Sequence, residues 1–282
     1  MNTTQLIADS GSTSCDWCLI HHHEKQYFST QGISPYFLTQ QQIIQLLQDE
    51  VAQQIGQDAI VSEIHFYGTG LSNQENASTM KDALQAVFKD AIINVNTDML
   101  AAARGLCKDQ KGIVCILGTG SNACYYDGLA IQKNSPGLGF ILGDEGSGSY
   151  LGKKVIQHFL YNTFDEDLVH QFKKEYPISK DEILNKVYKQ PFPNRYLATF
   201  AKFLHHNRGH YMIENIIEDG LNDFFLTHLY KFAESWSMPI HFVGSVAKAF
   251  KTTLQELCNN YELELGTVEK SPLQGLVDFH AK

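Results

Sequence analysis

The feature that most constrains this chain is a repeated unit. An apolar run at Leu6–Ala8 ends in the polar turn Asp9-Ser-Gly-Ser-Thr13, and two strand-like runs follow, Asp16–Ile20 and Lys25–Thr30. A second apolar run, Gly112–Leu117, ends in Gly118-Thr-Gly-Ser-Asn122 and is again followed by a hairpin pattern, Ala123–Asp127 and Leu129–Gln132. Short apolar runs bounded by Gly, Ser and Asp read as strands with turns between them. One continuously wound sheet would need this start once; two copies predict two related α/β lobes. The repeat alone sets the boundary, giving residues 1–107 and 108–282, with the terminal helix at about 271–282 a candidate to fold back on the first lobe.

The rest of the chain fills in around the repeats. Thr39–Ile55 has apolar residues at Ile43, Ile44, Leu46, Leu47 and Val51 behind Thr39, a helix with its N-cap. Glu63–Tyr67 and Ala91–Val95 read as strands and Met99–Cys107 as a helix. From Ser149 to Phe232 the apolar spacing is mainly helical. Near the end, Pro239–Val243 and Glu262–Leu265 are predicted strands, and Val246–Cys258 and Pro272–Phe279 helices, the last opened by Ser271 as cap.

Charge narrows the partners. Thirty-one acidic against twenty-two basic residues give a net charge of -9, a poor match to nucleic acid or an anionic membrane. No run approaches the ~18–20 apolar residues that span a bilayer, and Asp9 interrupts the first apolar stretch, against a secretory leader. The expectation is a cytoplasmic enzyme acting on a small molecule. The six cysteines sit in mostly apolar segments and read as buried thiols. Cys15 and Cys18 are spaced C-x-x-C, but inside a predicted strand, where residues three apart face opposite sides. The run His21–His23 reads as a solvated hairpin tip.

The two turns suit a nucleotide. Phosphate needs backbone N–H groups offered without bulky side chains, which Gly11, Ser12 and Thr13, and again Gly118, Thr119 and Gly120, supply. Asp9 at the strand end can position hydrated Mg²⁺. Either turn alone is equally well an ordinary connection between strands. A third piece, Phe242-Val-Gly-Ser-Val-Ala247, carries Gly244 and Ser245 at a strand-to-helix turn that admits an adenine or ribose, though alone it is a routine turn. No G-x-x-x-x-G-K-[ST] and no helix-opening G-x-G-x-x-G is present, which excludes P-loop enzymes and ordinary dinucleotide binders.

Taken in order, Asp9–Thr13, Thr97-Asp98, Gly118–Asn122, Gly137-x-Gly139, Gly143-Asp-Glu-Gly-Ser147 and Gly244-Ser245 resemble the N-acetylglucosamine kinases, of the BadF-type ATPase group in the actin-like ATPase and sugar kinase superfamily. The resemblance runs from residue 6 to about residue 279. It implies an α/β fold of two ribonuclease-H-like lobes with an interlobe cleft, ATP and Mg²⁺ as cofactors, and transfer of a phosphoryl group to the 6-hydroxyl of an amino sugar. The first lobe would then hold the first phosphate turn, sugar contacts and the base, and the second lobe the second phosphate turn and the adenosine site. Asp98 would be the catalytic base; from the residues alone it is as much a helix cap. Ser34, Gly70, Thr119, Asn122, Gly139, Asp144 and Glu145 would line the sugar; Asp144 and Glu145 could equally serve the dipole of the helix that follows.

Two positions depart from the family pattern. Ser14 stands where related kinases often carry lysine or threonine, and Ser34 where an asparagine often faces the sugar. The choice between N-acetylglucosamine, N-acetylmuramic acid and another hexose therefore stays open, as does a homodimer. An ATPase that activates a partner enzyme is the alternative outside sugar chemistry. Cys107, Cys115 and Cys124 lack the spacing of its iron–sulfur motif, and Asp98 would have no substrate.

Overall fold

The computed structural model describes residues 4–22, 24–56 and 60–281, and the chain divides into two units. One consists of Met1–Gln110, Gly128–Ala130 and Ser271–Lys282, the other of Lys111–Asp127 and Ile131–Lys270. In chain order the first unit opens with β1 (Gln5–Ser10), β2 (Ser14–His21) and β3 (Glu24–Gln31). Then come α1 (Gln40–Leu46), a π-helical stretch Leu47–Ala52, α2 (Gln53–Ile55), β4 (Glu63–Gly68), α3 (Gln74–Val87), β5 (Ile92–Thr97) and α4 (Asp98–Cys107). The second unit has β6 (Gly112–Leu117), β7 (Ser121–Tyr126), β8 (Ile131–Asn134) and α5 (Gly139–Leu142). Its helical stretch follows as α6 (Gly148–Leu160), α7 (Glu166–Glu175), α8 (Lys180–Lys189), α9 (Pro193–Thr199), α10 (Ala201–His206) and α11 (Tyr211–Thr227). It closes with β9 (Ile240–Val243), α12 (Ser245–Ala249), α13 (Lys251–Asn260) and β10 (Leu265–Glu269), after which α14 (Leu273–His280) belongs to the first unit.

The repeat in the sequence is a repeat in topology. The sheets run β3-β2-β1-β4-β5 and, read from the opposite edge, β8-β7-β6-β9-β10. In each, an antiparallel three-stranded meander is extended by two parallel strands. This is the expected α/β class. The apolar runs are buried because parallel central strands are covered on both faces. On one face of the first sheet Leu6, Ala8, Trp17 and Phe66 pack with Ile43, Leu47, Met80 and Leu84; on the other, Ile7, Cys18 and Tyr67 pack with Ala101 of α4 and Leu276 and Val277 of α14. Cys15 and Cys18 accordingly lie in different cores, so their spacing builds no joint site. All six cysteines are buried.

Capping explains where several helices begin. Thr39 and Gln42 form a capping box at α1, as the sequence predicts. Ser147 caps α6 and Asp165 caps α7. At α14 the cap residue is Pro272 itself, and Ser271 Oγ accepts from the Leu273 N–H at 3.3 Å.

Two strands differ from the sequence expectation. Gly128 adopts φ +97° and Leu129 is 83% exposed, so the hairpin turn occupies these residues and β8 starts at Ile131 rather than Leu129. The last strand is Leu265–Glu269 instead of Glu262–Leu265. Glu262 sits at φ +56° and, with the Leu263 N–H bonded to Cys258 O, completes the end of α13. At the first hairpin, His21 and His22 lie at the tip, His21 Nδ1 lying 2.8 Å from Thr4 Oγ1; His23 is outside the described residues.

Candidate active site

In the first unit, β1 ends at the turn joining it to β2. The Gly11 N–H donates to Ser14 O at 2.9 Å and the Gly32 N–H to Thr13 O at 3.0 Å, so the turn holding Gly11, Ser12 and Thr13 is tied to the end of β3. A Cβ on Gly32 would lie 2.4 Å from Gly11 O, an approach only glycine allows. Asp9 stands opposite Asp16 in the β1–β2 register, with Ser29 Oγ donating to Asp16 at 2.7 Å. Burial, then the charges of Asp98 and Asp16, push the Asp9 carboxyl up to about 8.

Asp98 opens α4 directly after β5. The cap is Thr97, whose Oγ1 accepts from the Leu100 N–H at 3.2 Å, so the capping alternative for Asp98 is taken by its neighbour. One Asp98 oxygen accepts from the Met99 N–H at 2.8 Å. Burial raises this carboxyl as well, opposed by hydrogen bonds that include the Thr69 side chain.

Ser34 and Gly70 lie in neighbouring loops. Ser34 is 1% exposed, and its hydroxyl donates to Thr69 O and accepts from the Tyr36 N–H, both at 3.4 Å. These bonds tie it to its own loop and to the one that carries Thr69. Gly70 has φ +80°, and a Cβ there would meet the Tyr36 ring at 2.4 Å. That ring is 61% exposed. Tyr36 escaped sequence reading because nothing in its local pattern tells of the glycine beneath it.

In the second unit, β6 and β7 pair through Leu117↔Ser121, which leaves Gly118, Thr119 and Gly120 as the turn. Gly118 O and Thr119 O accept from the N–H groups of Gly148 and Ser149 at 2.8 and 3.0 Å, fastening the turn to the start of α6. Gly244, at φ +125°, would place a Cβ 2.2 Å from Leu117 O, so β9 and the exposed Ser245 can approach this turn only with glycine there. Asp144, at φ +60°, accepts from the Ser121 N–H at 3.3 Å; burial raises its carboxyl against that bond. A Cβ on Gly120 would lie 3.1 Å from Asp144 Oδ2. Turn and carboxylate are thus mutually fitted. Asn122 Oδ1 accepts from the Ala123 N–H, with its amide nitrogen near Gly137, while Gly139 is exposed at φ +73°. Glu145 Oε2 lies 3.0 Å from His228 Nε2, and His228 Nδ1 lies 2.7 Å from Ser135 Oγ. Neither His228 nor Ser135 was found from sequence.

The residues fit magnesium in one manner. Among the described residues no three or more His, Cys, Asp or Glu gather as a metal cage. A single desolvated carboxylate beside like charges suits a hydrated cation that takes its other ligands from water and phosphate. The electrostatics also make a prediction without metal. Unfolded aspartate titrates at about 3.9, whereas folded Asp9 keeps its proton up to about 8, so between these values the folded state binds more protons and stability falls as pH rises. In metal-free thermal melts Asp9→Asn is expected to melt above the parent at pH 8 and to lose that advantage toward pH 4. An advantage independent of pH would rule out this cause.

A family profile described as the BadF/BadG/BcrA/BcrD ATPase family matches residues 8–274. The chain belongs to this family. The BadF-type ATPase chain is also 38% identical, with a TM-score of 0.93, to a Porphyromonas gingivalis structure provisionally named an N-acetylglucosamine kinase, covering 98% of both chains. An N-acetylmuramic acid/N-acetylglucosamine kinase of Clostridium acetobutylicum is 25% identical over 205 residues, 67% of this chain and 65% of that protein, so the match spans less than two thirds of the relative's length. A ROK family glucokinase of Streptomyces griseus, solved with glucose and AMPPNP, shares the fold at a TM-score of 0.58 and 15% identity, over 98% of each chain. No helix among the described residues of this family member is long and apolar enough to cross a membrane.

Proposed function

We propose that this BadF-type ATPase family member is an ATP-dependent kinase that phosphorylates the 6-hydroxyl of an amino sugar, N-acetylglucosamine first. The observation that carries the reading is Asp98: a desolvated carboxylate at the first position of α4, relieved of capping by Thr97 and electrostatically coupled to Asp9. A helix start that needs only a cap would not require a second, half-buried acid near Asp9. In the proposed reaction Asp98 takes the proton of the sugar hydroxyl while its oxygen attacks the γ-phosphorus and the bond to the ADP oxygen breaks. Backbone groups of Gly11, Ser12 and Thr13, and of Gly118, Thr119 and Gly120, receive the phosphates; Gly244 and Ser245 serve the adenosine. Asp9 would hold Mg²⁺ through water, and the ion, when bound, supplies positive charge against the phosphoryl oxygens. Ser34, Gly70, Thr119, Asn122, Gly139, Asp144 and Glu145 form the sugar's surroundings.

The name borne by the Porphyromonas gingivalis relative supports the sugar, and that of the Clostridium acetobutylicum relative supports a second reading, N-acetylmuramic acid. The work is assigned to the cytoplasm, where ATP is available and six cysteines without disulfides are at home. A coupled ADP-release assay tests the proposal with N-acetylglucosamine, N-acetylmuramic acid, glucosamine, glucose and no sugar, each with Mg-ATP. Turnover is expected with N-acetylglucosamine and to exceed the sugar-free rate by at least about a hundredfold, the low end of general acid–base contributions. Equal ADP release with and without sugar would overturn it in favour of a partner-activating ATPase.

A further inference from the structure

Glu145 follows Asp144 in the loop that opens α6, yet its carboxylate is not left to solvent. Oε2 is held 3.0 Å from His228 Nε2, and the side chain is 20% exposed. His228, at the C-cap of α11, is 5% exposed and meets the Phe224 ring at 4.9 Å. Its other nitrogen lies 2.7 Å from the buried hydroxyl of Ser135. The Ser135 N–H in turn donates to Ala123 O at 2.8 Å. Three separate segments therefore converge on one imidazole.

The proton inventory gives this chain a direction. A carboxylate only accepts, so Nε2 carries the hydrogen toward Glu145; the neutral ring then leaves Nδ1 to accept from the Ser135 hydroxyl. Burial lowers the His228 pKa against the pull of Glu145, in keeping with a neutral ring. Elsewhere the loop is held by the Asp144 carboxylate on the Ser121 N–H and by the Ser147 cap of α6, neither of which touches Glu145. A Cβ on Gly146 would lie 2.8 Å from Phe224 Cβ, so the backbone fits closely against α11 there. Among the described residues Glu145 Oε1 accepts no hydrogen bond.

We propose that His228 is a positioning residue for sugar recognition: by fixing Oε2 of Glu145 it presents Oε1, together with the adjoining Asp144, to the hydroxyls of the sugar. This rests on the reading that the loop around Asp144 and Glu145 takes the sugar. A buried, doubly bonded histidine can also serve stability alone, so the test must separate substrate from fold. Two amides do so. In His228→Gln the side-chain nitrogen reaches the place of Nε2 and still donates to Glu145; in His228→Asn the amide takes the place of Nδ1, meets Ser135 and leaves Glu145 without its donor.

Steady-state kinetics on the full chain, varying N-acetylglucosamine and Mg-ATP separately, read the difference. His228→Asn is expected to raise the sugar KM about tenfold, the scale of one hydrogen bond to a charged group, with the Mg-ATP KM unchanged, while His228→Gln keeps both near the parent. An unchanged sugar KM in His228→Asn, or both KM values rising together in both variants, overturns the inference. Should His228→Asn fail to fold, Ser135→Ala carries the test, since it removes the group that orients the ring; an unaltered sugar KM there overturns the inference as well. A parent that turns over no amino sugar at all overturns the kinase reading first, and is told apart by that control.

Discussion

Asp98→Asn is expected to lower kcat by about 10²–10⁴-fold, the usual contribution of a positioned general base, with the melting temperature kept close to the parent's. The substitution keeps shape and removes the proton acceptor. Thr97 still caps α4 through the Leu100 N–H, and the amide oxygen of Asn can still accept from the Met99 N–H. Removing one charge also relieves Asp9, whose carboxyl is raised in part by Asp98, so a modest stabilisation at neutral pH accompanies the loss of turnover. Coupled ADP release beside a thermal melt measures both. Full activity in a folded variant would remove Asp98 from the chemistry and return it to the role of a helix-start residue.

Gly275→Ala is expected to be the most damaging single methyl in the first unit. α14 meets α4 backbone to backbone: a Cβ on Gly275 would lie 1.9 Å from Gly105 O, and one on Gly105 would lie 2.7 Å from Pro272 O. Backbone cannot rotate aside as a side chain can, so the helices must separate, and Leu276 and Val277 withdraw from their cluster with Ile7, Cys18, Tyr67 and Ala101. Overpacking of this kind costs about 1–3 kcal/mol, which at about 2–4 °C per kcal/mol lowers the melting temperature by roughly 2–12 °C. Because α4 begins with Asp98, turnover should fall together with stability. A melt unchanged from the parent would mean that α14 is held elsewhere. The Arg104 to Tyr67 hydrogen bond at 2.8 Å, the Tyr67 to His280 contact at 2.8 Å and the stacked rings of His65 and His280 also fasten these helices to β4.

Much of the fold was legible because its signals are local. Apolar runs ending in Gly, Ser and Thr turns, and Thr39 ahead of its helix, depend on neighbours a few residues away. Strand limits were less legible where a non-glycine residue takes a positive φ: Glu262 looks like the first residue of a strand but ends a helix, a difference of backbone conformation that composition does not carry. Ser34 is a related case, its hydrogen bonds not legible from sequence. Its chemistry suits a sugar, but whether a hydroxyl faces solvent or Thr69 O depends on a loop 35 residues along the chain.

What the sequence by itself determined is that there are two copies of a strand, turn and hairpin unit, that each first strand ends in a turn of Gly, Ser and Thr, and that an aspartate stands at the end of β1 and another at the start of α4. The tertiary structure alone decided how those groups are charged and held. Asp9 gains its high pKa only when burial brings Asp98 and Asp16 to it, and Glu145 gains a donor 83 residues away, itself bonded to a serine 93 residues from it in sequence. Desolvation and long-range hydrogen bonds arise from packing between distant segments, and no local pattern of residues encodes them.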